Sequence, residues 1–244
     1  AAWREGRQAL RQVGWADMRR VFRAHDRFPK YSTFETLANN AGIQFPIILI
    51  AAVALGSEAG FLFLAMRTMA IPMGLIGGAV SQVFLSRASD ELRAAHLGSF
   101  TQNIFNSLVR AGVGPLIFTG ITVPVLFPLI FGSQWQRAGE LVAWMTPWFI
   151  LQFLSSPVSM VMHVTGHQQQ MMLLTICGGV VRIAAVTLAW YQGSNHLSEY
   201  FSISSAVVYA IYCWAFYLTG GVSFKQILLG VFKNLHLLAG WAIL

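Results

Sequence analysis

The chain has 244 residues, of which 56% are hydrophobic and only 10% charged, and its mean hydropathy is +0.59. A soluble domain carries about a quarter charged residues, so this composition excludes an ordinary water-soluble fold and points to a bilayer as the main solvent. The net charge of +7 does not imply a nucleic-acid partner: Arg4, Arg7, Arg11, Arg19, Arg20, Arg23, Arg27 and Lys30, half of the 16 basic residues, precede the first apolar block, where they act as a topology signal.

In chain order, residues 1–30 form a first unit. Between about Trp3 and Asp26, Arg alternates with Trp, Leu, Val and Phe at spacings that predict an amphipathic helix on an anionic cytoplasmic leaflet. The opening Ala-Ala-Trp-Arg carries no Met and no charged-then-apolar leader, so no signal peptide is expected and the chain reads as a piece of a longer protein. Residues 31–220 predict a six-helix lobe, with spans at about Thr33–Leu55, Ala59–Leu85, Asn103–Ile130, Gly139–Met162, Gln169–Trp190 and Ser198–Leu218. Residues 221–244 carry Lys225, Lys233 and His236 and predict either an interfacial amphipathic helix or a truncated span. The expected fold is therefore an all-α integral membrane bundle of six helices, or seven if the last segment crosses.

Loop charge sets the expected orientation. Arg87 and Arg93 follow the second span and Lys225 the sixth, whereas the alternate loops around Ser57, Ser133 and Ser194 hold only Arg137. The N-terminal end and the basic loops are thus expected on the cytoplasmic side of the membrane. Pro46, Pro72, Pro115, Pro124, Pro147 and Pro157 fall inside spans, and Gly74 and Gly78 form a small-xxx-small pair, a pattern that predicts bent, closely approaching helices. Cys177 and Cys213 lie in apolar blocks with no metal-ligand spacing and are expected to be buried hydrophobes.

Charged groups deep in hydrocarbon cost at least a few kcal/mol and mark functional positions. At 1.5 Å per residue, Arg67 and Arg182 lie roughly 10–12 Å inside the outer face, and Arg110 a comparable distance inside the cytoplasmic face. Arg67 and Arg182 either line one wet cavity that attracts a phosphate or anionic sugar, or snorkel to outer headgroups. Arg110 is either a ligand or a structural partner of Glu35. Asn40 and Gln44 are one turn apart and Asn39 adjoins them, so amides occupy much of one face of the first span, as sugar ligands or interhelical glue. Gln82 and Gln152 are weaker positions of the same kind. His163 and His167, one turn apart, are expected in a solvated loop. Phosphate loops, nucleophile elbows and paired carboxylates are absent from the sequence, so no enzyme, metal or cofactor is expected.

The stretch PKYSTFETLANNAGIQFPIILIA (Pro29–Ala51), followed by LAMRTMAIPMGLIGGAVSQVFLSRAS (Leu64–Ser89), resembles the first two helices of the second lobe of polysaccharide flippases. LFPLIFGSQWQRAG (Leu126–Gly139) resembles the turn between their ninth and tenth helices. This family is the polysaccharide-transporter branch of the multidrug/oligosaccharidyl-lipid/polysaccharide exporter superfamily. The resemblance implies two facing six-helix lobes, of which this chain is the second, with residues 1–30 as the cytoplasmic connector. It implies alternating access that flips a polyprenyl-pyrophosphate-linked repeat unit for O-antigen, capsule or exopolysaccharide biosynthesis. The implied partners are the lipid-linked oligosaccharide, membrane lipids, the N-terminal lobe of the same protein and other polysaccharide-assembly proteins. Cationic residues of the lumen would meet the anionic headgroup, and Arg67 and Arg182 are the positions that match this role.

Three other functions predict different features. A multidrug or cation exporter of the same superfamily would place carboxylates in its cavity, and the central thirds of these spans have none. A membrane polymerase or ligase would carry a large outer loop with catalytic groups. A scaffold would tolerate loss of Arg67 and Arg182.

Overall fold

A computed structural model of the chain describes residues 27–54 and 56–234, together with residue 14. The amphipathic connector expected over residues 1–30 lies outside the described residues except for Gly14 and its last four positions, which form the first turn of a helix. That helix, α1 (Arg27–Val53), starts before the expected boundary and keeps Pro46 inside it.

The second helix, α2 (Glu58–Arg93), runs for 36 residues, about 54 Å at 1.5 Å per residue, against roughly 30 Å of hydrocarbon. It accommodates the excess by bending 49° between its segments Glu58–Gly74 and Ile76–Arg93. Pro72 removes a backbone donor just before the bend, and the side-chain-free Gly74, Gly77 and Gly78 cannot brace it. The third span starts at residue 97 rather than 103: α3 (Leu97–Leu108) passes through a π-helical turn, Val109–Val113, into α4 (Gly114–Phe131). Pro115 follows that turn directly and has no N–H to close a regular helical bond.

A 3₁₀ turn at Ser133–Trp135 leads into α5 (Gln136–Ser155), which ends in another at Ser156–Val158, where Pro157 interrupts it. The short α6 (Val161–Val164) precedes α7 (Gln168–Tyr191) and α8 (Leu197–Thr219). Last comes α9 (Phe224–Lys233), opened by a capping box in which the Ser223 hydroxyl accepts from the Gln226 N–H. With 10 residues α9 is too short to cross by itself, and it leaves Phe224, Leu229 and Phe232 exposed beside Lys225 and Lys233. Residues 235–244, the rest of the expected seventh helix, lie outside the described residues.

The centre of the bundle is α5 and α8: about half of each apolar stretch (56%) is buried, against 17% for α1. Helices α2, α4 and α8 pack on α5, while α7 packs on α8 and carries α1 on its other side. Trp148, Phe153, Phe201, Phe216 and Tyr217 fill the core, with Trp148 edge-on to Phe201 at 5.1 Å. The Tyr217 hydroxyl donates to the Leu154 carbonyl at 2.7 Å, so its polar tip is satisfied inside the bundle.

Lipid is as apolar as leucine, so helices in a membrane associate through close packing and hydrogen bonds. The close approaches differ from the expected Gly74/Gly78 pair, neither of which meets another described residue. They occur where Gly42 meets Gly179, Gly139 meets Pro124, Gly112 meets the Phe153 ring and Gly178 meets Tyr212. Cys213 is buried as expected, but Cys177 is exposed, because α7 turns that face away from α1 and α8. On the outside, Leu129, Val125, Ile71 and Ile48 are all more than half exposed, a surface that only a bilayer or another apolar body accommodates. Among the described residues, five helical stretches are long and apolar enough to cross a membrane, and the bent α2 makes a sixth. The chain is an all-α, multi-pass membrane bundle.

Candidate functional site

Arg182 sits on α7, about 13 Å from its Tyr191 end, and is 1% exposed. Its Nε donates to Ser205 Oγ at 3.2 Å, and its guanidinium carbon lies 5.1 Å from the centre of the Tyr209 ring, both on α8. From the other side α1 covers it: a side chain begun at Gly42 would have its Cβ 2.8 Å from Gly179 Cα and 3.9 Å from Arg182 Nη1. Among the described residues no carboxylate pairs with Arg182, and its Nη2 has no hydrogen-bond partner. Trp148, stacked 6.5 Å from the same Tyr209 ring, also buries an Nε1–H without an acceptor among the described residues. An unmet buried donor costs about 1–3 kcal/mol.

Arg67 is not brought to Arg182. It lies on the exposed face of α2, opposite the buried Leu62, Ala65 and Met69, with its guanidinium carbon 5.3 Å from the Phe63 ring centre. The two arginines therefore line no common cavity within the described residues, because α2 packs on α5 whereas α1 and α8 enclose α7. On α1, Gly42, Pro46 and Ile50 face the bundle, which leaves Asn40 and Gln44 exposed on the opposite side and Asn39 half-buried between. The amide face is real as a face, and it points away from Arg182. Gln82 is exposed as well, and Gln152 is half-buried.

One expected pairing and one expected placement are corrected by the packing. Arg110, in the π turn, donates through Nε to Asn234 Oδ1 at 3.0 Å and does not meet Glu35. Asn234 is 2% exposed and holds its place by donating to the Gly230 carbonyl at 2.7 Å. Glu35 instead reaches His163 on α6, Oε2 to Nε2 3.6 Å, both side chains largely buried. His163 is thus no loop residue in solvent. His167, whose Nδ1 is 2.8 Å from the Thr165 hydroxyl, is exposed. The cause is that α1 lies along α7, so its first turns reach the short α6 and not α3.

One charged network escaped the sequence reading. At the end of the bundle where α2, α5 and α8 begin, Arg137 donates to both oxygens of Glu58, Nη2 to Oε1 at 2.8 Å and Nε to Oε2 at 3.1 Å. Its Nη1 donates to Glu199 Oε1 at 2.7 Å, and Glu140 stands 3.8 Å away. The Ser198 hydroxyl adds a 2.7 Å bond to Glu58, and His196 Nδ1 lies 3.2 Å from Glu199. The sequence signal was present in one respect: Arg137 is the lone basic residue of the sparsely charged loops, and a carboxylate opens both α2 and α8. Separations of 79 and 62 residues conceal that they meet.

Among the described residues no cluster of three or more metal-ligating side chains occurs. No protein-family model matches the chain, and no solved structure matches it. Over 109 residues it is 29% identical to an uncharacterized protein of Mycobacterium tuberculosis strain H37Rv, and equally to one of strain CDC 1551. The match covers 42% of this chain and 23% of each relative, so the chain spans less than a quarter of the length of the curated relatives it matches.

Proposed function

We propose that this chain is one lobe of a transporter that moves a polyprenyl-pyrophosphate-linked oligosaccharide across a bacterial inner membrane by alternating access. The observation that carries this reading is Arg182: a guanidinium buried on a spanning helix that, among the described residues, has no carboxylate beside it and no hydrogen-bond partner for Nη2. Its missing partner has the chemistry of a phosphate oxygen, which guanidinium binds through charge-assisted hydrogen bonds. Helix α1 is the cover that must move, since only 17% of its apolar stretch is buried and it touches α7 where Gly42 meets Gly179. The bend in α2 and the π turn after α3 supply further points of backbone adjustment. Exposed Asn40, Gln44 and Arg67 lie on spanning helices, where contact with lipid is costly. They suit a face turned toward a second lobe and a sugar-lined passage, with the polyprenyl tail left in lipid.

In the full-length protein, Arg182→Met should lower surface glycan about ten- to a hundredfold at matched protein level, the worth of a hydrogen bond to a charged group. Arg182→Lys should recover part of the loss and Arg67→Met should cost less. Unchanged export in the Arg182→Met, Arg67→Met double variant would eliminate the proposal. For orientation, a reporter fused after Ser89 should be cytoplasmic and one after Ser194 external, and the reverse pattern would invert the membrane placement.

A further inference from the structure

Beside the Arg137 network lies a cavity of ≈ 530 Å³, lined among others by Val53, Glu58, Trp190, Ser194, Asn195 and Leu197. Leu197 (3% exposed) and the largely buried Glu58 form its floor, while Trp190 (51% exposed) and Asn195 form an open rim. Its size is that of a small-molecule site. Two helices, α1 and α7, end at this cavity and two, α2 and α8, begin there. Their dipoles offset one another, so the side chains decide the sign of the potential.

That sign is negative. Three carboxylates, Glu58, Glu140 and Glu199, surround the single guanidinium of Arg137. Glu199 is 6% exposed, and its Oε2 is buried with no hydrogen-bond partner among the described residues. Glu58 accepts three hydrogen bonds, from Arg137 Nη2, Arg137 Nε and Ser198 Oγ. A carboxylate has about four acceptor positions, so one remains on Oε2. A carboxylate with a spare acceptor site, an indole and an amide around one open cavity are the groups that hold an ammonium ion, through a charge-assisted bond and cation–π attraction.

We propose that the cavity between Glu58 and Trp190 binds a protonated amine, supplied either by the ethanolamine headgroup of a membrane lipid or by a free amine. The site is separate from Arg182, has the opposite charge preference and stands whether or not the transport reading does. Its position where four helices end or begin puts it level with headgroups, where Trp is the favoured anchor.

The test uses the full-length protein in nanodiscs of phosphatidylglycerol with and without phosphatidylethanolamine. Native mass spectrometry counts the lipid retained after detergent stripping, and Trp fluorescence follows ethanolamine added to the phosphatidylethanolamine-free discs. Wild type should retain phosphatidylethanolamine over phosphatidylglycerol, and Glu58→Gln and Trp190→Ala should each lower that preference about fivefold. Trp190 lies outside the ion-pair network, so its variant keeps the test decisive if Glu58→Gln unfolds the protein. Retention of the lipid without response to free ethanolamine supports the headgroup as ligand, and a fluorescence response weakened by Glu58→Gln or Asn195→Ala, which keep Trp190, supports a soluble amine. No preference for either amine, or a preference that survives Trp190→Ala, overturns the site.

Discussion

Arg137→Met should destabilise the protein by about 2–3 kcal/mol, below the roughly 3–5 kcal/mol cost of removing one member of a fully buried ion pair because the Arg137 side chain is 26% exposed. The reason is what remains behind. The side chains of Glu58 and Glu199 are 13% and 7% exposed and face the same guanidinium. Without it, two carboxylates are left close together in a poorly hydrated place, where the Ser198 and His196 contacts do not neutralise them both. Surface ion pairs contribute little, but this one ties the starts of α2, α5 and α8, so its loss loosens three helices at one end of the bundle. Unfolding in a mild detergent titrated with dodecyl sulfate measures the effect. Adding Glu58→Gln and Glu199→Gln to the Arg137→Met variant should recover much of the loss, because no buried charge then lacks a partner. Arg137→Lys should fall between, keeping the charge but not the fork that grips both Glu58 oxygens. A melting curve for Arg137→Met identical to wild type would refute the network as a brace.

Gly42→Leu should separate α1 from α7 and uncover Arg182. A Cβ at that position would stand 2.8 Å from Gly179 Cα, and backbone cannot rotate aside as a side chain can. Overpacking of this kind typically costs about 1–3 kcal/mol, and here the strain is relieved by displacing α1, whose apolar stretch is only 17% buried. Arg182, 1% exposed in the closed bundle, should then react several-fold faster with phenylglyoxal, followed by mass mapping of the modified peptide. Gly179→Leu should act in the same direction from the facing helix. Gly74→Leu serves as the control, since nothing lies within 4 Å of a Cβ there, and it should leave labelling unchanged. Equal protection of Arg182 in wild type and Gly42→Leu would show that α1 is not its cover.

The two predictions concern residues of very different legibility. Arg182 stood out in the sequence because a charge inside an apolar run is expensive wherever the helix packs. Its neighbours did not stand out. Ser205 and Tyr209 are ordinary residues of another span, and only the crossing of α7 with α8 makes them ligands of the guanidinium. The Gly74/Gly78 spacing looked like a packing motif yet meets no other described residue, while Gly42 and Gly179, 137 positions apart in the chain, form the seam. Spacing along one helix reports which residues share a face; it carries no information on which face finds a partner.

What the amino-acid sequence determined by itself is the solvent and the local structure. Apolar blocks of spanning length must become helices, since hydrocarbon offers no partner for backbone N–H and C=O groups, and the interruptions by Pro and polar loops mark the places where those helices bend or end. What only the tertiary structure decided is which polar groups meet. Arg137 with Glu58 and Glu199, Glu35 with His163, and Arg110 with Asn234 are each joined by helix packing across long stretches of chain. Inside a membrane bundle that packing depends on small-residue crossings and satisfied hydrogen bonds, terms that belong to pairs of surfaces and are not written in any one segment.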